Sequence, residues 1–206
     1  MKNTGERAAV VLPPSIAAAF FLSGAAGLIY QIAWQRLLFA NFGVDIESIT
    51  VLVSAFMLGL GVGGYFGGRV ADRFFSQSLL LFCLFEAVIG VYGLASPFII
   101  DWTGRLGGDS GLLTVAILNF FSILPATVLM GGTLPMLTAW LAKTPSGVGN
   151  AIGVLYFCNT LGAAIGCFAT AFVLFIFIDL YQAIWLAAAC NFVVAILAYT
   201  EGRRHV

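Results

Sequence analysis

The sequence predicts an all-α integral membrane protein, a bundle of six transmembrane helices. Three observations predict it. Hydrophobic residues make up 61% of the 206 and charged residues only 9%, against about a quarter in soluble domains, so a water-soluble fold of this size would lack the polar groups to cover its surface. The mean hydropathy is +1.05. The apolar residues also gather into six runs, each near the roughly 20 residues that a helix needs to cross the hydrocarbon layer. The runs are long and do not alternate, which selects helix over barrel strand.

The first span covers 14–39, with Pro13 and Pro14 suited to a helix start and Ser15 in the first turn. The second covers 49–68 and the third 78–100. The fourth, 112–141, carries Pro125, Gly131, Gly132 and Pro135 and is expected to be bent or broken, which makes "LPATVLMGGTLP" a candidate cavity wall. The fifth covers 149–177 and the sixth 181–200. Residues 14–200 therefore form one six-helix domain, between a tail at 1–13 and another at 201–206, with no room for a separate soluble domain. Pro13 and Pro14 interrupt the N-terminal segment, and the apolar run behind them is too long for a signal peptide.

Loop charges orient the bundle. With the N-terminus inside, Lys2, Arg7, Arg69, Arg73, Lys143, Arg203 and Arg204 fall on the cytoplasmic side. Arg36 and Arg105 fall outside, beside the acidic Asp45, Glu47, Asp101, Asp109 and Asp179. The excess of basic residues predicts that both termini are cytoplasmic.

Several function classes are disfavoured. Nine basic and nine acidic residues cancel, so no basic field is available for nucleic acid. Cys83, Cys158, Cys167 and Cys190 lie in apolar runs without metal-ligand spacing, as structural cysteines do. The one histidine is His205, in the tail. No metal cluster, Ser/His/Asp set or phosphate-cradling loop is visible, and no intramembrane histidine offers a haem or chlorophyll ligand. The expectation is a non-enzyme without a cofactor, partnered by the lipid bilayer and by itself or other membrane subunits.

Small residues mark close helix approaches. Ala55, Gly59, Gly63 and Gly67 fall four apart, with Gly64 and Gly68 as a second stripe. The fifth helix has Gly149, Gly153, Gly162, Gly166 and Thr170. Such stripes let backbones pack in lipid; plain packing and a sliding or rocking interface are both consistent with them. Polar residues inside spans are costly and face the bundle interior. Glu86 is the one acid well inside a span, eight residues or about 12 Å past Ser78. It is either a proton or cation site or a protonated acid bonded to a neighbouring helix. Asn119, Ser122, Thr127, Asn150 and Asn191 suit interhelical hydrogen bonds. Tyr156 and Asn159, three apart, share a helix face.

In "GLIYQIAWQRLLF", Tyr30 and Trp34 form one stripe and Gln31 and Gln35 the next. An outer aromatic belt with a snorkelling Arg36 accounts for Trp34. Gln31 lies too deep for that and, with Tyr30, is expected to face protein or a cavity.

The stretches "SGAAGLIYQIAWQRLL", "SAFMLGLGVGGYFGGRVADR", "LFEAVIGVYGL", "LPATVLMGGTLPML" and "GVLYFCNTLGAAIGCF" together resemble the membrane domain of bacterial spermidine-synthase-like membrane proteins. These are often labelled fusions of a major-facilitator-type transporter with a spermidine synthase. The resemblance covers about 16–180. Two departures accompany it. The sequence stops at "EGRRHV" without the aminopropyltransferase-like domain, so catalysis on polyamines is not carried over, and Gln31 stands where that family commonly has a glutamate. The resemblance implies half of a major facilitator transporter, built from two three-helix repeats, in a bacterial inner membrane. "GGRVADRFF" also resembles the gating loop between helices two and three of that superfamily, through Gly68, Asp72 and Arg73. A lone half needs a second copy or another half to complete a cavity. Two functions follow as expectations. One is a half-size, oligomeric transporter of a small organic, polyamine-like solute, with Tyr30, Gln31, Trp34, Glu86, Asn119, Tyr156 and Asn159 at the substrate. The other is a non-catalytic subunit or anchor of a larger membrane complex.

Overall fold

A computed structural model describes residues 12–43, 45–107, 111–143 and 148–204. Lys2, Arg7 and most of the expected N-terminal tail, Asp109 and His205 lie outside the described residues. The elements are α1 (Pro14–Phe42), α2 (Asp45–Arg73), a 3-10 turn (Phe75–Gln77), α3 (Ser78–Gly107), α4 (Leu112–Leu141), α5 (Val148–Ala169) and α6 (Leu180–Arg204). Behind α5 the chain winds through a π-turn (Thr170–Leu174) and a last turn (Phe175–Phe177). Among the described residues six helical stretches are long and apolar enough to cross a membrane.

Most helices outrun their apolar cores. α2 begins at Asp45, so Glu47 is helical rather than in an outer loop. Gly43 ends α1: at φ 70° it caps the helix in the left-handed conformation, its N–H donating to the Phe39 carbonyl at 2.8 Å. At the other end, α2 continues through Gly68, Asp72 and Arg73, because nothing after Gly68 breaks a helix and Ala71 is buried. The expected gating loop is thus the last turn and a half of α2. α3 likewise includes Asp101, and α6 runs on to Arg204. Nor is α4 broken: Pro125 and Pro135 sit inside one continuous helix. The irregularity lies instead in α5, where the Thr170 hydroxyl donates to the Gly166 carbonyl at 2.6 Å as the π-turn begins.

Consecutive helices alternate in direction. At one end Ser15 of α1 donates to Glu201 of α6 at 2.8 Å, and Lys143 beyond α4 donates to the Ser76 carbonyl before α3 at 2.9 Å. At the opposite end the Tyr181 hydroxyl of α6 donates to Asp101 of α3, and Arg36 of α1 lies 4.3 Å from the Phe175 ring centroid. Arg69, Arg73, Lys143, Arg203 and Arg204 therefore gather at the first end, and Arg36 and Arg105 at the second.

The helices pack in the order α2 on α4, α4 on α3, α3 on α6, α6 on α1 and α1 on α5. α2 and α5 are the flanks, α2 lying on a helix two places further along the chain and α5 on one four places back. Glycines set both approaches. A Cβ on Gly59, Gly63 or Gly67 of α2 would strike Thr127, the Val128 carbonyl or Gly132 of α4. A Cβ on Gly162 or Gly166 of α5 would strike the Phe21 or Ala25 carbonyl of α1, and one on Gly24 the Asn159 carbonyl. Gly68, Gly149 and Gly153 have open space instead, so the outer parts of the expected stripes take no part.

Two buried clusters stack along the bundle. One contains Tyr30, Trp34, Phe56, Ile123 and Ile184, the other Phe20, Phe82, Met136, Leu155 and Val194. Ser23, Glu86 and Asn191 fall between them on α1, α3 and α6.

Gly63→Leu is expected to destabilise the fold by about 1–3 kcal/mol or more, because the opposing atoms are backbone and cannot yield. Gly61→Ala, with nothing near its Cβ position, leaves the melting midpoint in detergent essentially unchanged. Equal melting of the two variants would overturn the assigned α2–α4 contact.

Candidate functional site

A cleft of about 490 Å³ lies between α1, α2, α4 and α5. One stripe of α1 forms its first wall: Phe20, Ser23, Gly24, Gly27, Leu28 and Gln31, spaced by three, four, seven, eight and eleven residues. Phe56, Met57, Leu60 and Gly64 of α2 form the second, Tyr156, Asn159 and Ala163 of α5 the third. The back is Met130, Gly131, Thr133, Leu134 and Pro135 of α4, so the second half of "LPATVLMGGTLP" is a cavity wall. Pro135 lacks an N–H, which leaves the Gly131 carbonyl without its usual helical partner at this wall. Tyr156 is 63% exposed and Met57 61%, so the cleft opens between α2 and α5.

Gln31, Tyr156 and Asn159 thus share one site. Asn159 also ties α5 to α1, its Nδ2 donating to the Phe20 carbonyl at 3.2 Å. The other expected substrate residues lie elsewhere. Trp34 belongs to no outer belt: it is fully buried, stacked on Tyr30 with centroids 4.9 Å apart, and its Nε1 donates to Ser96 at 2.8 Å. Tyr30 is buried with it against Gly93, and its hydroxyl has no hydrogen-bond partner. Helical geometry separates Tyr30 from Gln31 by about 100°, which sends one to the core and the other to the cleft. Asn119 closes a link between α3 and α4, accepting from Thr103 at 3.0 Å and donating to the Val115 carbonyl at 2.9 Å. It is the interhelical fastener, away from the cleft. At the end of α2, Asp72 and Arg73 are exposed, and Arg73 lies 5.8 Å from the Phe74 ring centroid.

Glu86 is fully buried and does not line the cleft. Ser23 of α1 donates to its Oε1 at 2.7 Å and Asn191 of α6 donates to its Oε2 at 2.7 Å. Asn191 Oδ1, on the same amide, has no partner. Ser23 therefore touches both places: it is part of the cleft wall and it bonds Glu86 behind that wall. Sequence reading passed over Ser23, although it sits eight residues before Gln31 on the same helix face. A serine recurring in register with Gly27 and Gln31 was the available signal.

Among the described residues no three metal-ligating side chains cluster. The arrangement offers a half-open, mainly apolar cleft with neutral polar groups on α1 and α5, and a carboxyl group one hydroxyl away from it.

Comparison with known proteins gives one distant relative. Over 184 residues, 87% of this chain, the sequence is 26% identical to polyamine aminopropyltransferase 2 of Streptomyces coelicolor. The chain spans about a third of that protein, 32% of its length. No protein-family model matches the chain, and no solved structure matches it.

Glu86→Gln keeps a side chain of the same shape, and the Asn191 amide can turn its free Oδ1 toward the new donor. Glu86→Ala leaves the Ser23 and Asn191 donors unsatisfied in the interior, at about 1–3 kcal/mol. Melting midpoints in detergent are expected to fall markedly for Glu86→Ala and little for Glu86→Gln. The reverse order would mean that the charge itself, not the hydrogen-bonded shape, holds the three helices together.

Proposed function

We propose that this chain is a half-size, transporter-like membrane unit that works as an oligomer and moves a small organic solute through the cleft between α1, α2, α4 and α5. The cleft carries the reading. Its volume suits a small solute, and it opens on the side where a second six-helix unit would close it. The packing supports an arrangement of two three-helix repeats: α2 lies on α4 as α5 lies on α1, and α4 on α3 as α1 on α6. Shifting each helix number by three turns one set of contacts into the other, as internal repeats do. The glycine contacts fall on the same two pairs, which places smooth, close interfaces where rocking would occur. With the basic end inside, both termini are cytoplasmic, as the positive-inside rule favours, and an inner bacterial membrane is the proposed location.

The solute class rests on the distant relative, whose name is that of a polyamine enzyme. A polyamine-like cation in this cleft would meet the aromatic faces of Phe20, Phe56 and Tyr156 and the oxygens of Gln31 and Asn159. Glu86, behind Ser23, would supply the counter-charge or take up a proton. A second reading, a membrane anchor for a larger assembly, is favoured by the long apolar faces of α2 and α5, which a partner could equally cover.

Uptake of labelled spermidine into proteoliposomes tests the transporter. Tyr156→Ala and Asn159→Ala are each expected to lower uptake about tenfold, corresponding to about 1.4 kcal/mol. Glu86→Gln is expected to abolish uptake while the protein stays monodisperse. Wild-type uptake no greater than that of empty vesicles would retire the polyamine transporter. Native mass spectrometry from the membrane then separates a homodimer from a fixed complex with other subunits.

A further inference from the structure

A second groove, of about 510 Å³, lies at the basic end of the bundle between the start of α3, the end of α4 and the end of α6. Its chemistry differs from that of the cleft. The floor is apolar, formed by Leu79, Leu80, Cys83 and Ala198, and the mouth carries Lys143 and Arg203. Among the described residues no carboxylate lines it. Both cations are held in place by the protein. Lys143 Nζ donates to the Ser76 carbonyl at 2.9 Å and lies 5.9 Å from the Phe75 ring centroid. Arg203 donates from Nε and Nη2 to the Tyr199 hydroxyl at 3.2 and 2.9 Å, with its guanidinium 5.0 Å from that ring's centroid. An ammonium has three donors and a guanidinium five, so these bonds leave donors at the mouth for an anion.

We propose that this groove binds an anionic phospholipid. Lys143 and Arg203 take the phosphate at the level of the headgroups, and one acyl chain lies along Leu79, Leu80, Cys83 and Ala198. The two halves of the site argue together. Cys83 is four residues beyond Leu79, so the floor runs about 6 Å further toward the bilayer centre along α3. Leu80, at 55% exposed, opens it sideways to lipid. A free phosphate would match the mouth and leave the floor unused. A neutral lipid would match the floor and leave two cations without an anion. Basic pockets between transmembrane helices recognise anionic headgroups in this way.

The test uses the whole protein in nanodiscs of phosphatidylcholine and phosphatidylglycerol, followed by gentle release and native mass spectrometry of the retained lipid. Phosphatidylglycerol is expected to be retained well above its share of the bilayer. Lys143→Ala and Arg203→Ala should each lower that preference about fivefold, and the pair about thirtyfold, with melting in phosphatidylcholine unchanged. Retention of the two lipids in bilayer proportion by the wild type would overturn the proposal without reference to any variant. An unchanged preference in the folded double variant would overturn it too. So would displacement of phosphatidylglycerol by millimolar inorganic phosphate, which would mark a simple anion site.

Discussion

Direct backbone contact between α2 and α4, and between α5 and α1, is the constraint on which the rest of the bundle depends. Lipid tails are as apolar as leucine, so hydrophobic burial does little to draw helices together in a membrane, and close van der Waals packing must do so. Gly63 against the Val128 carbonyl and Gly162 against the Phe21 carbonyl are places where no side chain fits. These contacts fix α2 on α4 and α5 on α1, in neither case a neighbour in the chain. The cleft is what remains between the flanks, because α4 and α5 scarcely meet.

The interior polar groups obey the same geometry. Ser23, Glu86 and Asn191 meet at one level, between the two apolar clusters, where three helices converge. A buried carboxyl group needs partners that water would otherwise supply, and α1 and α6 each provide one donor. The layer therefore ties the facing sides of α1, α3 and α6 together, as the glycine contacts do for α2 on α4 and α5 on α1. Its link to the cleft runs through a single hydroxyl. Ser23 is consequently the residue through which a solute in the cleft and the charge state of Glu86 would affect each other under the proposed transport.

The two grooves divide the surface by chemistry. The cleft is mainly apolar, with the neutral polar groups of Ser23, Gln31, Thr133, Tyr156 and Asn159 on its walls. The groove at the basic end pairs the cations Lys143 and Arg203 with an apolar floor. Under the two proposals, the cleft would serve passage and the groove would hold a lipid, with α4 contributing to both.

Much was legible in the sequence: six helices long and apolar enough to cross a membrane, the Leu112–Leu141 boundaries of α4, and the inner parts of the glycine stripes. Hydropathy and spacing are local properties, and local sequence carries them. The same spacing placed Tyr156 and Asn159 on one face of α5, and the structure keeps them together at the cleft. Sequence did not fix where that face points. Trp34 read as an interface residue because lipid and core look alike to an apolar side chain, yet it is sealed against Ser96. Asn119 and Glu86 read as companions of Gln31, yet one closes an α3–α4 joint and the other sits behind Ser23. What the sequence by itself determined is therefore the class of molecule and the angular spacing of residues along each helix. What only the tertiary structure decided is which faces of different helices meet, since that rotation is set by glycine contacts and hydrogen bonds between residues as far apart as Ser23 and Glu86, which no local pattern encodes.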